Sequence, residues 1–221
     1  MPLLLLVGSS RFLMSCSGAV HAQAAAYLSE PDSPESPKVC FEQLADKQIG
    51  FQAAGDDHHP WLVDVRGPIA GVSWFHHGKK KVNSLMDCRL VLAIEEVSRV
   101  LMAPAGVVEV RHMSTFRPGA RVRSTGKVSG HASALAVDLR YVIFDDGSRY
   151  DVKTDWVERT RGADPCATTD KELKAGMIRA WVCQSSAAHV FRVVVTPHHD
   201  DAHHNHVHLE VRPDVSWVWI R

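Results

Sequence analysis

Apolar residues recur along this chain at two spacings, one typical of helices and the other typical of strands. Within residues 87–106 the helical spacing is carried by Leu90, Val91, Ile94, Val97 and Leu101. This pattern predicts a helix with Asp87 as its N-cap, ended by Pro104 and Gly106. A second helix is predicted over residues 168–186, where Thr169 and Glu172 form a capping box, and a short helix is predicted from Cys40.

Alternating or continuous apolar residues predict strands elsewhere, over residues 61–75, 106–119 and 189–197. Residues 134–152 predict a hairpin whose turn is Asp146-Gly147. Helices and strands are mixed without a regular β-α-β order. The expected fold class is therefore α+β, a single domain with a central antiparallel sheet flanked by helices.

The segment "DDAHHNHVHLEVRP", residues 200–213, places histidine at every second position of a predicted strand. Successive strand residues point to opposite faces. One face then carries His204, His206, His208 and Glu210, and the other carries Asn205, Val207, Leu209 and Val211. This strand has an apolar back and an imidazole-lined front. Glu210 is expected to be a solvated charge at the strand end, with support of a ligand histidine as the alternative.

Composition limits the classes of function and suggests export. Lysine plus arginine and aspartate plus glutamate number 25 each, so no charge excess favours nucleic acid or an anionic membrane, and no membrane span is expected. Residues 1–24 are expected to be a signal or leader, residues 25–39 a disordered linker rich in Ser, Pro and Glu, and residues 40–221 the folded domain. We expect a protein of the periplasm or cell envelope.

Four cysteines remain beyond the leader: Cys40, Cys88, Cys166 and Cys183. An even number is compatible with two disulfides in an oxidising compartment, and three pairings are possible. Buried free thiols are the alternative. No C-x-x-C motif occurs, which argues against a cysteine-rich zinc site.

A second polar position lies on an otherwise apolar strand. His131 precedes a turn of small residues, and Asp138 points away from the side that Val137 and Leu139 share. If this strand and the histidine strand present their polar faces together, His131, Asp138 and His208 can converge. Two imidazoles and a carboxylate are a common donor set for zinc.

These segments resemble a known group of enzymes. "SGHASALAVD", residues 129–138, is similar to the S-x-H-x-x-G-x-A-x-D element of the LAS zinc metallopeptidases (lysostaphin, D-Ala-D-Ala peptidases, hedgehog), and "HHNHVH", residues 203–208, to their H-x-H element. The order of "GPIAGV", "DCRL", "STFRPG" and the two histidine motifs resembles the bacterial extensin-like C-terminal domain family. The resemblance covers about residues 40–211, with Ala134 in place of the motif's glycine.

The resemblance implies that His131, Asp138 and His208 bind Zn2+, that His206 is the catalytic imidazole, and that His203 is a further active-site histidine. Arg117 is a candidate to bind a substrate carboxylate, with a surface arginine at a turn as the alternative. The expected function is that of a hydrolase, a zinc-dependent metallopeptidase cleaving peptide bonds of bacterial peptidoglycan in the cell wall. A non-catalytic zinc module of the cell envelope and a metal-free structural protein are the alternatives. The sequence leaves endopeptidase or carboxypeptidase action and the oligomeric state open.

Overall fold

The structure, a computed structural model, describes residues 28–78, 85–156, 160–167 and 173–221. The expected leader, residues 1–24, and the capping box at Thr169 and Glu172 lie outside these ranges. Among the described residues, no helix is both long and apolar enough to cross a membrane.

Helices form in the three segments where the sequence predicts them, and one further short helix, Val152–Asp155, was not predicted. The described residues include α1 (Pro37–Asp46), α2 (Cys88–Val97), α3 (Val152–Asp155) and α4 (Leu173–Ala187), with short helical turns at Ser98–Met102, Ala103–Ala105, Gly130–Ser133 and Asp201–His203. Asp87 caps α2, because its side chain accepts a hydrogen bond from the backbone N–H of Arg89 at 2.9 Å. Gly106 then ends the helical region in the left-handed conformation, as expected for this residue type.

The strands within the described ranges form two sheets. They are β1 (Phe51–Ala53), β2 (Leu62–Val65), β3 (Ser73–His76), β4 (Leu85–Asp87), β5 (Val107–His112), β6 (Ala136–Phe144), β7 (Arg149–Asp151), β8 (Val193–Val195), β9 (Val207–Glu210) and β10 (Trp219–Ile220). The smaller sheet has the order β1-β2-β4, and the larger has the order β10-β8-β9-β6-β5-β3 with β7 paired to β6. All pairs are antiparallel except β3–β5 and β8–β10. The α+β class is therefore confirmed.

Strand β6 lies inside the larger sheet and organises it. It pairs with β5, β7 and β9, and its apolar residues Val137, Leu139 and Val142 are at most 1% exposed. Helix α2 is buried along nearly its whole length. Polar side chains that stand on β6 are therefore held by a rigid, well-packed strand.

The four cysteines that the structure describes form two disulfides, as expected, in one of the three possible pairings. Cys40 bonds to Cys88, and Cys166 bonds to Cys183. The first bond joins α1 to the start of α2, and both of its cysteines are fully buried. This pairing connects segments 48 residues apart in the chain.

Residues 28–39, assigned above to a disordered linker, are instead packed on the domain. Leu28 is 8% exposed, and the backbone N–H of Ser29 donates to the Glu96 carboxylate at 3.1 Å. Ser36 caps α1, so the helix begins at Pro37 and the folded domain starts before Cys40. The composition suggested disorder, but Pro at the start of a helix and Ser at its cap are both compatible with α1.

Candidate metal centre

His131 is held in a short helical turn that precedes β6. The side chain of Ser129 caps the turn Gly130–Ser133 by accepting from the His131 N–H. The imidazole is 1% exposed, and its Nδ1 lies 2.7 Å from the carbonyl oxygen of Thr115. A carbonyl can only accept, so Nδ1 carries the proton and Nε2 keeps its lone pair. The chain thus fixes the tautomer that a metal ligand requires.

Asp138 and His208 are brought together by strand register. They are direct partners in the antiparallel pairing of β6 with β9, although 70 residues separate them in the chain. Directly opposite residues of an antiparallel pair project from the same face of the sheet. Both side chains are buried, at 5% and 7% exposure.

Three potential donor atoms meet at this point. His131 Nε2 lies 3.0 Å from Asp138 Oδ1 and 3.2 Å from His208 Nδ1, and the last two atoms are 3.1 Å apart. Donors about 2.0–2.2 Å from a tetrahedral zinc lie roughly 3.3–3.5 Å from each other, so a small outward shift would accommodate the ion. No other group of three potential ligands meets this way among the residues that the structure describes. We call His131, Asp138 and His208 the metal cluster.

A buried carboxylate supports the metal cluster from behind. Glu210 is 6% exposed, and its Oε2 accepts a hydrogen bond from His208 Nε2 at 3.0 Å, which leaves His208 Nδ1 free for a metal. Gly130 makes room for this contact, because a Cβ atom there would lie only 2.7 Å from Glu210 Oε2. The expectation of a solvated strand-end charge at Glu210 is therefore wrong. Antiparallel neighbours cover this end of β9, and the alternative role in supporting a ligand histidine fits the contact.

The electrostatics of the metal cluster favour positive charge. Burial would raise the pKa of Asp138, but the adjacent imidazoles of His131 and His208 outweigh burial and hold that pKa well below its usual value. Burial would likewise lower the pKa of His208, yet the Asp138 and Glu210 carboxylates raise it to about 9. The donor set thus attracts a cation to the centre, and it fits zinc in both number and type of ligand.

His206 stands beside the metal cluster rather than within it. Its Nε2 lies 3.5 Å from Asp138 Oδ1, and its Nδ1 is 2.9 Å from the side-chain oxygen of Asn205. The proton is therefore on Nδ1, and Nε2 faces the cluster as an acceptor. Burial is the main cause that lowers the pKa of His206 to about 4, so the ring is neutral at physiological pH.

His203 forms the next layer of the site. Its ring centroid is 5.1 Å from that of His206 and 6.2 Å from that of His208. Its Nδ1 donates to Asp200 Oδ1 at 2.6 Å, and Asp200 also caps the short turn that carries His203. Burial lowers the pKa of His203. The Asp200 carboxylate thus orients the ring.

The predicted histidine strand is shorter than expected. Strand β9 begins at Val207, so His204 and His206 precede it. His204 is exposed, and its Nδ1 bonds back to the carbonyl of Asp201. The prediction that His204 shares the front face is therefore wrong, because the turn Asp201–His203 bends the chain before β9 starts.

Two residues that the sequence analysis did not single out hold the His206 loop in place. Arg140 lies two positions after Asp138 on β6 and is 6% exposed. It donates to the backbone carbonyl of Asn205 at 2.6 Å and forms an ion pair with Asp151 at 2.9 Å. The sequence could have indicated Arg140, because it lies two positions from Asp138 and residues two apart on a strand share a face.

Arg117 lies close to the metal cluster along the backbone. Its N–H donates to the carbonyl oxygen of His131 at 2.8 Å, while its side chain is exposed. Its role toward a substrate carboxylate stays a prediction.

The motif position occupied by Ala134 requires an unusual backbone conformation. Ala134 has a φ of +58° and is fully buried at the end of the turn that carries His131. The left-handed conformation explains why glycine suits this position. Alanine retains the turn geometry at the cost of local strain.

Comparison with known proteins identifies a family. Residues 38–218 match the family described as Extensin-like protein C-terminus. No curated protein and no solved structure matches the chain. The matched range contains the metal cluster, His203 and His206. Since it covers most of the sequence, the chain belongs to the extensin-like protein C-terminus family.

Proposed function

We propose that this protein is a zinc-dependent peptidase that hydrolyses peptide bonds of bacterial peptidoglycan. The observation that carries the proposal is the set of three mutual donor distances, 3.0–3.2 Å, among His131, Asp138 and His208. Similarity of the two histidine motifs to the LAS metallopeptidases supplies the reaction class. Similar motifs do not by themselves establish the chemistry of this chain, so the proposal rests on the geometry of the site.

His131, Asp138 and His208 would hold the zinc. A bound zinc supplies Lewis acidity toward a carbonyl oxygen and lowers the pKa of water from 15.7 toward about 7. Asp138 would contribute one negative charge, and the two imidazoles would contribute none once zinc takes the place of the proton that His208 otherwise holds. The site would therefore keep net positive charge, which this chemistry needs.

His206 would handle the proton. Its Nε2 carries a lone pair that faces the metal cluster, and the ring is neutral at physiological pH. A neutral imidazole can accept a proton from the attacking water and return it to the departing amine. Asn205 fixes the ring by accepting from Nδ1, and Arg140 fixes Asn205 through its carbonyl.

His203 would stabilise negative charge on the substrate oxygen in its protonated form. The Asp200 carboxylate accepts from Nδ1 and favours that form, which opposes the lowering of the pKa by burial. The protonated ring carries a second N–H at Nε2, directed away from Asp200, and this N–H is a suitable donor to an oxyanion. The pair would thus complement His206, which acts on the proton.

We further propose that the protein acts outside the cytoplasm, in the periplasm or cell envelope. Two disulfides in a domain of this size are typical of oxidising compartments. Peptidoglycan lies in the same place, so the compartment and the substrate agree.

Three alanine variants test the proposal. His208→Ala should lose both zinc and cleavage of purified muropeptides, since it removes a ligand. His206→Ala should keep one zinc per chain and lose most of the rate, by roughly 10²–10⁴-fold for a lost general base. His204→Ala is the matched control, because this exposed histidine lies in the same segment but outside the cluster.

Zinc stoichiometry and muropeptide release would be measured on protein purified without a histidine tag. Full turnover by His206→Ala would refute the role of that residue. Zinc-loaded wild type that binds muropeptides without cleaving them would refute the peptidase and favour the binding module.

A further inference from the structure

A strongly cationic segment joins β5 to the turn that carries His131. Residues 116–130 read "FRPGARVRSTGKVSG" and contain Arg117, Arg121, Arg123 and Lys127 but no aspartate or glutamate. The chain as a whole has equal numbers of acidic and basic residues. The excess of positive charge is therefore a property of this segment and not of the whole protein.

The segment folds back on itself as a short hairpin around one isolated β-bridge. Arg121 and Val128 form an antiparallel bridge, and the N–H of Val122 donates to the carbonyl of Lys127 at 2.8 Å. The N–H of Ser129 donates to Ala120 at 3.0 Å. These bonds give residues 117–129, which we call the cationic hairpin, a defined shape.

The cationic hairpin begins and ends at the metal cluster. The Arg117 N–H donates to the His131 carbonyl at one end, and Ser129 caps the His131 turn at the other. The arms pair from Ala120 and Ser129 outward, and Arg121, Arg123 and Lys127 lie one to three residues beyond that pair. At about 3.3 Å per residue the cations extend over roughly 10 Å, which an extended peptide of about three residues covers.

All side chains from Arg121 to Lys127 are exposed. Two apolar side chains are exposed with them, Val122 at 40% and Val128 at 61%. Cations next to exposed valines suit a ligand that carries both carboxylates and methyl groups. Stem peptides of peptidoglycan, which combine alanine methyl groups with several carboxylates, have this chemistry.

We propose that the cationic hairpin binds the carboxylate-bearing stem peptides of peptidoglycan and holds the polymer beside the metal cluster. This inference rests on the proposed function for the identity of the ligand. The hairpin supplies affinity for the insoluble polymer through charge, whereas bond cleavage belongs to His206 and the metal cluster. Exposed charges of this kind act mainly on encounter and on salt dependence.

The test compares two variants with the same net charge. Arg123→Gln/Lys127→Gln removes two charges from the hairpin, and Lys38→Gln/Arg149→Gln removes two exposed charges elsewhere. Both are made in the full chain carrying His206→Ala, so that the polymer stays intact during the assay. Binding to purified peptidoglycan sacculi is measured by co-sedimentation at low and high salt.

The hairpin variant should bind sacculi about fivefold more weakly at low salt, and the difference should vanish at high salt. The control variant should bind like its parent. Arg123→Lys keeps the charge and should also bind like its parent, which separates charge from folding. Equal binding by the hairpin and control variants would overturn the proposal. So would charge-dependent binding to phosphatidylglycerol vesicles that exceeds binding to sacculi.

The hairpin and the peptidase can fail separately. If the wild type cleaves muropeptides and the hairpin variant binds sacculi normally, only the binding role proposed for the hairpin is contradicted. Hairpin-dependent binding to sacculi by zinc-loaded protein that cleaves nothing supports the hairpin and contradicts only the peptidase.

Discussion

Glu210 provides the sharpest test of the metal cluster, because it affects a ligand without being one. Its Oε2 accepts from His208 Nε2 at 3.0 Å in a site with 6% exposure. Glu210→Gln keeps the size of the side chain and an acceptor oxygen but removes the charge. A hydrogen bond to a charged group contributes about 1.5–3 kcal/mol and a neutral one about 0.5–1.5 kcal/mol. The loss of about 1–1.5 kcal/mol corresponds to roughly tenfold weaker zinc binding.

The assay is competition for zinc against a chromogenic chelator at fixed pH. Glu42→Gln is the matched control, since it makes the same change in charge on the exposed surface of α1. Gly130→Ala should also weaken zinc binding, because the new Cβ would overlap the Glu210 carboxyl group. Zinc affinity of Glu210→Gln within twofold of that of Glu42→Gln would refute the idea that this carboxylate orients His208.

Three further predictions concern stability, each followed by chemical denaturation. Ala134→Gly should change the free energy of unfolding by less than about 1 kcal/mol, because relief of the positive φ offsets the lost methyl group. Ala136→Gly, at an equally buried position on β6, should lower the free energy of unfolding by about 1–2 kcal/mol. Equal losses in the two variants would contradict this prediction. Cys40→Ala/Cys88→Ala should lower the free energy of unfolding by about 4 kcal/mol, since the disulfide closes a loop of 48 residues, and an unchanged midpoint would contradict this. Burial lowers the pKa of His112 to about 3 in the folded protein, whereas the pKa in the unfolded chain is about 6.5. The contribution of the neutral ring to the free energy of unfolding is therefore complete above pH 6.5 and is lost as the pH falls toward 3. His112→Gln should therefore reduce the pH slope of the unfolding free energy in that window by about 1.4 kcal/mol per unit, and an unchanged slope would count against a neutral buried ring.

Local pattern was enough to predict several elements of the fold. The spacing of apolar residues in α2 and its Asp87 cap were correct, because both depend on contacts within a few positions of the chain. Alternation along β6 identified Asp138 as a polar side chain on a buried strand. Alternation also put His208 and Glu210 on one face of β9, where the structure has them in contact.

Local pattern failed where distant contacts decide the outcome. It extended β9 back to His204, because the alternation of histidine with other residues begins there. The turn Asp201–His203, capped by Asp200, bends the chain away from the direction of β9 before the strand starts. It assigned residues 25–39 to a disordered linker, although Ser29 contacts Glu96, 67 positions further along the chain. It also left the pairing of the cysteines open.

The residue types available for chemistry, and the strand face that carries most of them, could be read from the sequence, since side-chain direction along a strand follows from the backbone period. Packing between distant segments places Asp138 opposite His208, buries Glu210 behind it and brings His131 to both. Strand register and burial depend on such contacts, and in this site they join residues as far apart as His131 and His208, 77 positions along the chain. No local spacing contains that information.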